Sequence, residues 1–489
     1  MGANHAPRDN RAGKRGGVTS VLPRDRIEPL QGFGGAETVA GYVFRPSNVS
    51  GIREAFVAAR AYGVPVALRG AGKSYGDAAY LREAVTLDLT RLNRVLDWNP
   101  DTGVLTVEPG VTIRQAWQTT VGDGWLPPVV SGTMYSTIGG ALAMNIHGKN
   151  HYKHGTLGEN TLSFDLLLPG GDHLTCTPSN ENRDLFYAAI GGFGVLGVFT
   201  TIRLQMMSVQ SGLMRVRQFA ARNLTELFAV TDREIAGGSD YTVGWLDPFA
   251  SGTNVGRGLV QTASFLPEGH DPAPAQTLRA DRQDLGDTAL GVPKSVLWQL
   301  LKPWVNDAGM RVLSALRYRL GAATSGKAGT DTWAGANFLL DYVPHWQNAY
   351  GSGGLMQYQT QIPATAAPEA VAEQLRLCHA HRLFPYLSVF KRHRADPFLM
   401  SYSVDGYSLA LDFKVTSANR DRLWNLAGEL DAVTIAAGGR FYFAKDATLH
   451  PSRIQAFLGE ARVQTFREIK RRVDPQNLLQ TDLYRRIFG

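Results

Sequence analysis

The sequence predicts an α+β fold with two unlike regions, and two patterns carry this prediction. Over residues 27–210, short apolar segments rich in β-branched residues, such as Val85–Leu89, alternate with segments of helical periodicity. Over residues 211–415, longer strand-like segments such as Gly354–Ile362 and Tyr407–Phe413 are accompanied by amphipathic helical ones. Strands that pair with their sequence neighbours, with helices covering one face, are typical of α+β proteins.

These patterns divide the chain into four segments. Residues 1–26 carry basic side chains without an apolar core, which predicts a disordered tail and not a secretory signal. Residues 27–210 form a first domain and residues 211–415 a second domain. Residues 416–489 complete the second domain, and their last part, from Ala444, is predicted to return to the first.

Composition limits the functions that this chain can have. Its 489 residues, 44% hydrophobic and 19% charged, are ordinary for a soluble globular protein, and no run approaches 18 apolar residues, so no membrane-spanning helix is predicted. The two cysteines, Cys176 and Cys378, are far apart and in no CxxC motif, which favours a reduced, cytoplasmic protein without a disulfide framework or a thiolate metal site. The net charge of +7 favours anionic ligands, such as phosphates or a phospholipid surface, but no nucleic-acid-binding module is evident.

Three short motifs match the sequence patterns of known binding sites, but their surroundings in the chain do not fit those sites. Gly72–Ser74 ends like a phosphate-binding P-loop, but Ala67 stands where that motif requires glycine. The run Gly192–Gly197 spells GxGxxG, yet a helical segment precedes it and a strand-like one follows, the reverse of a dinucleotide-binding turn. His147 and His151 are spaced like zinc ligands on a helix, but the glycine and asparagine between them disfavour a helix, so no metal site is predicted.

Two glycine-rich loops remain, Arg69–Asp77 and Ser131–Gly140, and each follows an apolar segment. Glycines allow positive φ angles and let backbone N–H groups crowd around an anion. One such loop alone is more often a tight turn. Two loops, together with the glycines of Gly191–Gly197, fit an extended cofactor that contains a pyrophosphate.

These loops resemble the FAD-binding segments of the vanillyl-alcohol-oxidase superfamily. The resemblance implies a two-subdomain, PCMH-type FAD-binding domain followed by a substrate domain with a large antiparallel sheet flanked by helices. Many members attach their flavin to a histidine just before the serine of the first loop, where this chain has Lys73, so FAD is expected to bind non-covalently. The cofactor-binding residues that the resemblance implies are Arg69, Gly70, Ala71, Gly72, Lys73, Ser74, Tyr75, Gly76, Asp77, Gly132, Thr133, Thr137, Gly139, Gly140, Asn145, His147, Asn150, Gly192, Gly197, Val198 and Tyr442.

Within the superfamily the chain resembles the bacterial oxidases of decaprenylphosphoryl-ribose, in segments spread over most of its length. These include Ile146–His151, Gln357–Gln359, Val389–Lys391 and Ala444–Asp446. The implied reaction is oxidation of the ribose 2′-hydroxyl to a ketone, the first half of an epimerisation that a short-chain reductase partner completes. The implied catalytic residues are His147, Lys149 and Lys445, and the implied substrate residues are Tyr75, Gln359, Lys391, Ser408, Ala410 and Lys445.

Elementary chemistry agrees with these roles but leaves alternatives open. Hydride transfer to a flavin requires a base for the hydroxyl proton and a cation near the reduced flavin, and His147 or Lys445 suits the first need. Both residues also have an ordinary structural interpretation, in which His147 is a loop histidine bonded to backbone and Lys445 is a solvated lysine. Ala410 and Ser408 replace a cysteine and an asparagine of the family pocket, and Asn337 stands where an aromatic residue is expected. A free polyol, an aldonolactone or a nucleoside sugar therefore remains an alternative substrate, and a flavin-binding protein without turnover remains an alternative class.

Two segments of the second domain carry further expectations. The polar, proline-containing stretch Pro267–Gly286 is predicted to be a mobile loop. The stretch Val296–Val305, with the arginines that follow it, is apolar, aromatic and basic. It suits either an ordinary core helix with solvated arginines or peripheral contact with the inner face of a membrane.

Overall fold

Two small sheets built from short strands form the first part of the molecule, in a computed structural model that describes residues 24–289 and 291–489. Of the predicted disordered tail, residues 1–26, the first 23 lie outside the described residues, and the last three, Arg24–Arg26, form a short 3-10 helix that precedes β1. The strands are β1 Ile27–Gln31, β2 Thr38–Phe44, β3 Val66–Arg69, β4 Val85–Asp88, β5 Val95–Asn99, β6 Val104–Val107, β7 Trp125–Leu126, β8 Thr161–Leu167, β9 His173–Cys176, β10 Val198–Gln205 and β11 Met207–Ser208. One sheet has the order β1-β2-β4-β3, with β2, β4 and β3 parallel, and the other is antiparallel with the order β5-β6-β10-β8-β9.

Five helices accompany these sheets: α1 Val49–Tyr62, α2 Ile113–Thr120, α3 Ile138–Ala143, α4 His151–His154 and α5 Arg183–Ala189. Helix α1 begins where the Asn48 side chain accepts from the Gly51 N–H, and it ends at Gly63, which has a φ of 64°. Its buried residues recur at the spacing of one helix face, as the periodicity predicts. The first glycine-rich loop follows β3, and the second leads into α3.

An eight-stranded antiparallel sheet dominates the second part, as the sequence predicts. Its order is β17-β12-β14-β13-β19-β20-β18-β21. The strands after β11 are β12 Leu213–Ala221, β13 Tyr241–Leu246, β14 Gly258–Phe265, β15 Thr288–Ala289, β16 Val292–Pro293, β17 Ala328–Thr332, β18 Leu355–Pro363, β19 Leu387–His393, β20 Gly406–Lys414 and β21 Arg440–Phe441, with β15 and β16 forming a separate hairpin. Adjacent strands are paired over long stretches, with Gln357 opposite Asp412 and Val389 opposite Ala410.

Helices flank this sheet, which confirms the α+β class. They are α6 Leu224–Ala236, α7 Pro274–Thr277, α8 Ala280–Gln283, α9 Leu297–Leu301, α10 Asp307–Ala323, α11 Trp333–Asn337, α12 Ala367–Ala380, α13 Arg420–Ala436, α14 Ile454–Leu458, α15 Glu460–Val473 and α16 Asp482–Phe488. Helices α6, α12 and α13 pack together on strands of the sheet, with the Phe228 ring edge-on to Phe390 at 4.9 Å. Helix α10 packs on β12 and β14, where Gly321 lies against Leu259.

The final segment lies against the first part of the molecule. The Val66 N–H donates to the Leu478 carbonyl at 2.8 Å, and the Gln480 N–H donates to the Val66 carbonyl at 2.9 Å, so the chain adds a short bridge beside β3. The buried Lys470 ammonium donates to the Val195 carbonyl at 2.9 Å. These contacts hold the final segment beside the loop that follows β3.

The stretch Pro267–Gly286, predicted to be a mobile loop, includes regular structure, and its mobility stays a prediction. This stretch contains α7 and α8, and Pro274 begins the first of them, where its missing N–H costs nothing. Asp271 accepts from Thr277 Oγ1 at 2.5 Å, and buried Gln283 donates to the Gly212 carbonyl at 2.8 Å. Helices this short leave little periodic signal in a sequence. No helix in the described ranges is long and apolar enough to cross a membrane.

Candidate active site

A cavity of about 930 Å³ lies between the two glycine-rich loops and the eight-stranded sheet. This volume is near the upper end of the range for small-molecule sites, about 300–1,000 Å³. The two loops line one part of the cavity, with glycines that expose backbone among residues 69–75, 131–133 and 135–137. Strands β13, β14, β18, β19 and β20 supply side chains to the other, so a long ligand held by backbone on one side meets side chains on the opposite side.

The loops form a cradle in which glycine is required. A Cβ on Gly70 would lie 2.1 Å from Thr137 Oγ1, and a Cβ on Gly139 would lie 2.6 Å from the Pro109 side chain. Gly72 has a φ of +64°, which disfavours any side chain. The two loops therefore pack closely against each other at Gly70 and Thr137, and glycine loops of this kind let backbone approach an anion such as a pyrophosphate. A cradle of this kind beside a cavity of this length fits FAD.

Two cationic side chains of the first loop have different roles. Arg69 donates to the Ala79 carbonyl at 3.1 Å and to the Gln31 carbonyl at 3.0 Å, so its guanidinium holds the loop in shape. Lys73 lies over the Phe33 ring at 5.1 Å and lines the cavity. Burial lowers the Lys73 pKa, with the nearby Asp341 carboxylate acting in the opposite direction. Lys73 is thus the first-loop cation that remains available to an anionic ligand.

Asp341 anchors the second loop from the substrate side, a role that sequence reasoning missed. Its carboxylate accepts from Thr133 Oγ1 at 2.7 Å and from the Met134 N–H at 2.7 Å. Burial raises the Asp341 pKa, and these two hydrogen bonds oppose that shift. No pattern marks this residue, because its partners are more than 200 positions earlier in the chain.

His147 is held in one tautomer by its neighbours. The Tyr402 hydroxyl donates to the Asn145 carbonyl at 2.6 Å and therefore accepts from His147 Nδ1 at 2.9 Å. The Gln359 amide donates to His147 Nε2 at 3.1 Å. Burial holds the pKa of His147 well below its usual value, helped by the positive charge of Lys391 nearby. The ring is therefore neutral, with its Nε2 lone pair on the cavity side beside Gln359.

Three buried lysines line the same cavity. Burial lowers the pKa of Lys149 to about 7 and that of Lys391 to about 8. Burial also lowers the pKa of Lys445, whose ammonium lies over the Tyr75 ring at 3.6 Å from its centre. A lysine whose pKa falls towards neutrality exchanges a proton easily at physiological pH. Lys149 is the most restrained of the three, because it donates to the Ala336 carbonyl at 2.5 Å.

A buried carboxylate, Asp412, affects the pKa of Lys445, a role that was not predicted from the sequence. It lies opposite Gln357 in the β18–β20 register and accepts a hydrogen bond from the Gln357 amide. Burial raises the Asp412 pKa, while Lys445 and the Gln357 amide lower it. In return, the negative charge of Asp412 raises the pKa of Lys445, against the lowering that burial causes. Residues two apart on one strand share a face, so Asp412 is on the same face of the sheet as Ala410, and Gln357 is on the same face as Gln359.

Most of the predicted site residues come together at this cavity. Those that line it are Arg69, Gly70, Ala71, Gly72, Lys73, Ser74, Tyr75, Gly132, Thr133, Thr137, Gly139, Gly140, His147, Lys149, Gly197, Gln359, Lys391, Ala410, Tyr442 and Lys445. Asn337 lines it as well, with its amide donating to the Trp333 carbonyl at 3.0 Å. The backbone loops and the sheet face thus meet where the resemblance implies, although the role of each residue stays a prediction.

Seven predicted cofactor or substrate contacts are not among the residues that line the cavity, and their contact with a ligand stays a prediction. They are Gly76, Asp77, Asn145, Asn150, Gly192, Val198 and Ser408. Each has a partner elsewhere in the protein. The Asp77 carboxylate pairs with Arg486 at 2.9 Å, and the Asn150 amide donates to the Pro128 carbonyl at 2.7 Å. Ser408 bonds to His393 Nε2 at 2.7 Å.

The remaining four of these residues are held by packing. Gly76 lies against the Asp446 carbonyl and Gly192 against the Ala188 carbonyl, each leaving no room for a Cβ. The Asn145 side chain accepts from the Gly158 N–H at 3.0 Å. Val198 is fully buried in the core. These residues shape the cavity from outside.

Comparison with known proteins places this geometry in a class. Residues 40–177 match a family model described as "FAD binding domain". The chain is also 30% identical over 270 residues to cytokinin dehydrogenase 5 of Oryza sativa, covering 50% of each chain. The protein is an FAD-linked oxidoreductase of the PCMH, or vanillyl-alcohol-oxidase, type, as the sequence predicts.

Two bacterial relatives are similar to this chain over most of its length. The chain is 27% identical over 470 residues to decaprenylphosphoryl-beta-D-ribose oxidase of Mycolicibacterium smegmatis, covering 94% of this chain and 97% of the relative. It is 28% identical over 386 residues to an uncharacterised protein from the mprA 5′ region of Streptomyces coelicolor, covering 77% of this chain and 100% of the relative. The similarity to the oxidase spans both the loops and the strand wall.

Proposed function

We propose that this protein uses non-covalently bound FAD to oxidise the 2′-hydroxyl of a polyprenylphosphoryl-ribose to a ketone. The observation that carries the proposal is the group of buried polar side chains that shares the cavity with the FAD-type loops, namely Gln359 and Lys391 on the sheet and Lys445 just after its last strand. The similarity to decaprenylphosphoryl-beta-D-ribose oxidase over 94% of this chain supports it. The ketone would then be reduced by a short-chain reductase, which would complete an epimerisation.

The side chains of the cavity supply the acid–base part of this reaction. Bound FAD would accept the hydride that leaves the sugar carbon. Lys445 is the group that takes the hydroxyl proton, because burial lowers its pKa towards neutrality while Asp412 and the Tyr75 ring keep it in place. His147 is neutral and accepts from Gln359, so it orients that amide towards the sugar and carries no positive charge.

Positive charge elsewhere in the cavity suits the phosphate of the substrate. Lys391 lies on β19 and lines the cavity, and burial without a carboxylate partner lowers its pKa to about 8. Arg317 reaches the cavity from α10, with its guanidinium over the Trp245 ring at 4.4 Å. A phosphodiester between these two cations would connect the sugar, held on the strand wall, to a lipid tail at the cavity mouth.

The side chains around the loops support non-covalent binding. Lys73 occupies the attachment position of the first loop, and both cysteines are buried away from the residues that line the cavity. Acid precipitation of the purified protein should therefore release all flavin into the supernatant, which absorbance near 450 nm (about the usual flavin maximum) measures. Flavin that stays with the pellet would refute non-covalent attachment while leaving the reaction itself standing.

Anaerobic flavin bleaching tests the substrate. Prenylphosphoryl-ribose should reduce the bound flavin, whereas free ribitol and an aldonolactone should leave it oxidised. Bleaching by a free polyol or lactone instead would replace the proposed substrate class with the alternative that Ala410 and Ser408 leave open. A flavin that no hydroxyl compound reduces would identify a binding protein without turnover.

A further inference from the structure

Seven of the 16 large hydrophobic side chains that are exposed in the described chain lie between Val296 and Leu320, in and around helices α9 and α10. Leu300 is 62% exposed and Trp304, in the turn after α9, is 52% exposed. On α10, Val312, Leu316 and Leu320 are 58%, 51% and 61% exposed. Scattered exposed leucines are ordinary, but a contiguous group marks a surface that another apolar phase covers. We call this group the α9–α10 face.

The geometry of α10 explains why these side chains point outwards. Val312, Leu316 and Leu320 are four residues apart, so they form one stripe along the helix. The opposite side is occupied, because Ser314 is buried and a Cβ on Gly321 would lie 2.5 Å from the Leu259 side chain. The turn Lys302–Trp304 contacts α10 and extends the same surface. The sheet therefore cannot cover this face.

The charges around the face are positive. Lys302, Arg319 and Lys327 are exposed and form no ion pair within the ranges that the structure describes. Asp307 is the acidic residue of residues 292–327, and it accepts a hydrogen bond from the Tyr386 hydroxyl at 2.8 Å. Apolar residues with a half-exposed tryptophan and unpaired basic side chains match the composition of surfaces that rest on anionic lipid.

The α9–α10 face also continues to the mouth of the cavity. Helix α9 packs against the turn Trp346–Tyr350, and Trp346 lines the cavity. Leu339 and Tyr135, which are 42% and 47% exposed, line the cavity as well. Lys294, just before α9, lies over the Tyr342 ring at 4.0 Å and joins these parts. A surface in contact with the α9–α10 face is thus adjacent to the opening through which a substrate enters.

We propose that the α9–α10 face docks on the surface of an anionic lipid bilayer and places the cavity mouth at the bilayer. This inference deepens the proposed function, on which its substrate part rests, because a lipid-linked substrate would then enter the cavity without leaving the membrane. Arg317 lies on the same helix and reaches the cavity, so α10 contacts the bilayer on one side and the substrate site on the other. Attachment is peripheral, since no helix of the described ranges spans a membrane.

Flotation of the flavin-loaded full chain with lipid vesicles tests the docking. The protein should float with vesicles that contain phosphatidylglycerol and should remain at the bottom with phosphatidylcholine vesicles. The double variant Leu316→Ser/Leu320→Ser should weaken binding by roughly tenfold or more, because two side chains lose their apolar contact. The matched control is Val57→Ser, at a position 60% exposed on α1, and it should bind as the unchanged protein does.

The outcomes separate docking from function. Equal flotation of the double variant and the unchanged protein would overturn the inference. It would also be overturned if the unchanged protein bound no vesicles but formed a concentration-dependent dimer in sedimentation, and the double variant did not form that dimer. A short-tailed prenylphosphoryl-ribose in solution should reduce the flavin of the double variant normally. Vesicle binding without flavin reduction by that compound would remove the proposed function and leave the docking intact.

Discussion

The two walls of the cavity are built in opposite ways. The loop wall presents backbone, and its critical residues are glycines such as Gly70 and Gly139, where a Cβ would collide with the other loop or with Pro109. The strand wall presents side chains from β18, β19 and β20, among them Lys391, and Lys445 lines the cavity just after the last strand; burial lowers the pKa of both lysines. Asp412, on β20, is buried beside this wall, and burial raises its pKa. A backbone wall suits a constant cofactor, while a wall of side chains can change its substrate by single substitutions. The comparison predicts that loop variants lose flavin and strand-wall variants keep it.

The strongest expected effect is on the strand wall. Lys445→Ala should slow anaerobic flavin reduction by about 100-fold or more, since removal of a general base typically costs that much. Its flavin content should stay nearly unchanged, because Lys445 contacts the first loop through the Tyr75 ring and not at any of the loop glycines. Stopped-flow absorbance measures the rate and the spectrum of the purified protein measures the content. Lys327→Ala, at an exposed position, is the control. Reduction within twofold of normal would remove Lys445 from the proton transfer.

Gly70→Ala tests the loop wall, and here we expect the opposite result, with flavin binding weakened and the rate of reduction kept. A methyl group 2.1 Å from Thr137 Oγ1 must push the loops apart, and overpacking of this kind costs about 1–3 kcal/mol. We expect FAD affinity to fall by roughly tenfold to a hundredfold, measured by titration of the apoprotein, with the reduction rate of the loaded fraction nearly normal. Gly122→Ala is the matched control, because a Cβ there meets no atom within 4 Å. Normal affinity in Gly70→Ala would show that the cradle is not tight.

Asp341→Ala sharpens the comparison, because Asp341 comes from the substrate side but anchors the second loop. Loss of its hydrogen bonds to Thr133 and the Met134 N–H leaves donors unpaired, which costs about 1–3 kcal/mol. FAD affinity should therefore fall by roughly tenfold, without the loss of turnover expected for Lys445→Ala. Thr133→Ser, which keeps the hydroxyl donor, should behave normally. An unchanged affinity would contradict the anchoring role.

The smallest expected effect is a shift in pH dependence. If neutral Lys445 takes the proton, the rate of flavin reduction rises with pH through the Lys445 pKa. Asp412 raises that pKa, so Asp412→Asn should lower it and move the rising limb to lower pH by roughly one unit. Asp431→Asn is the control, since burial raises the Asp431 pKa to about 7 but its hydrogen-bond partner is Tyr358, behind the sheet. A limb that stays in place, or moves upwards, would contradict the coupling.

The same contrast explains what the sequence could predict. Glycine loops carry a local signal, and period-two alternation indicates which strand residues share a face, so the loops and the long strands were predictable. Asp341 and Asp412 were not, because each acts on a residue that folding brings from a distant position. Asp77 shows a second limit of a local signal. It stands in the predicted cofactor loop, yet it pairs with Arg486 from the last helix. Only the tertiary fold distinguishes a ligand contact from an internal ion pair.

This last pairing has a consequence for how the holoprotein is made. Arg486 joins Asp77, 409 residues earlier, to Asp446, and it also donates to the Leu449 carbonyl at 2.6 Å. The loop that carries Asp77 is the cofactor loop, so its end is fixed only after helix α16 has been synthesised. Contacts of such long sequence separation form late in folding. Tight flavin capture should consequently require that helix α16 has been synthesised and docked.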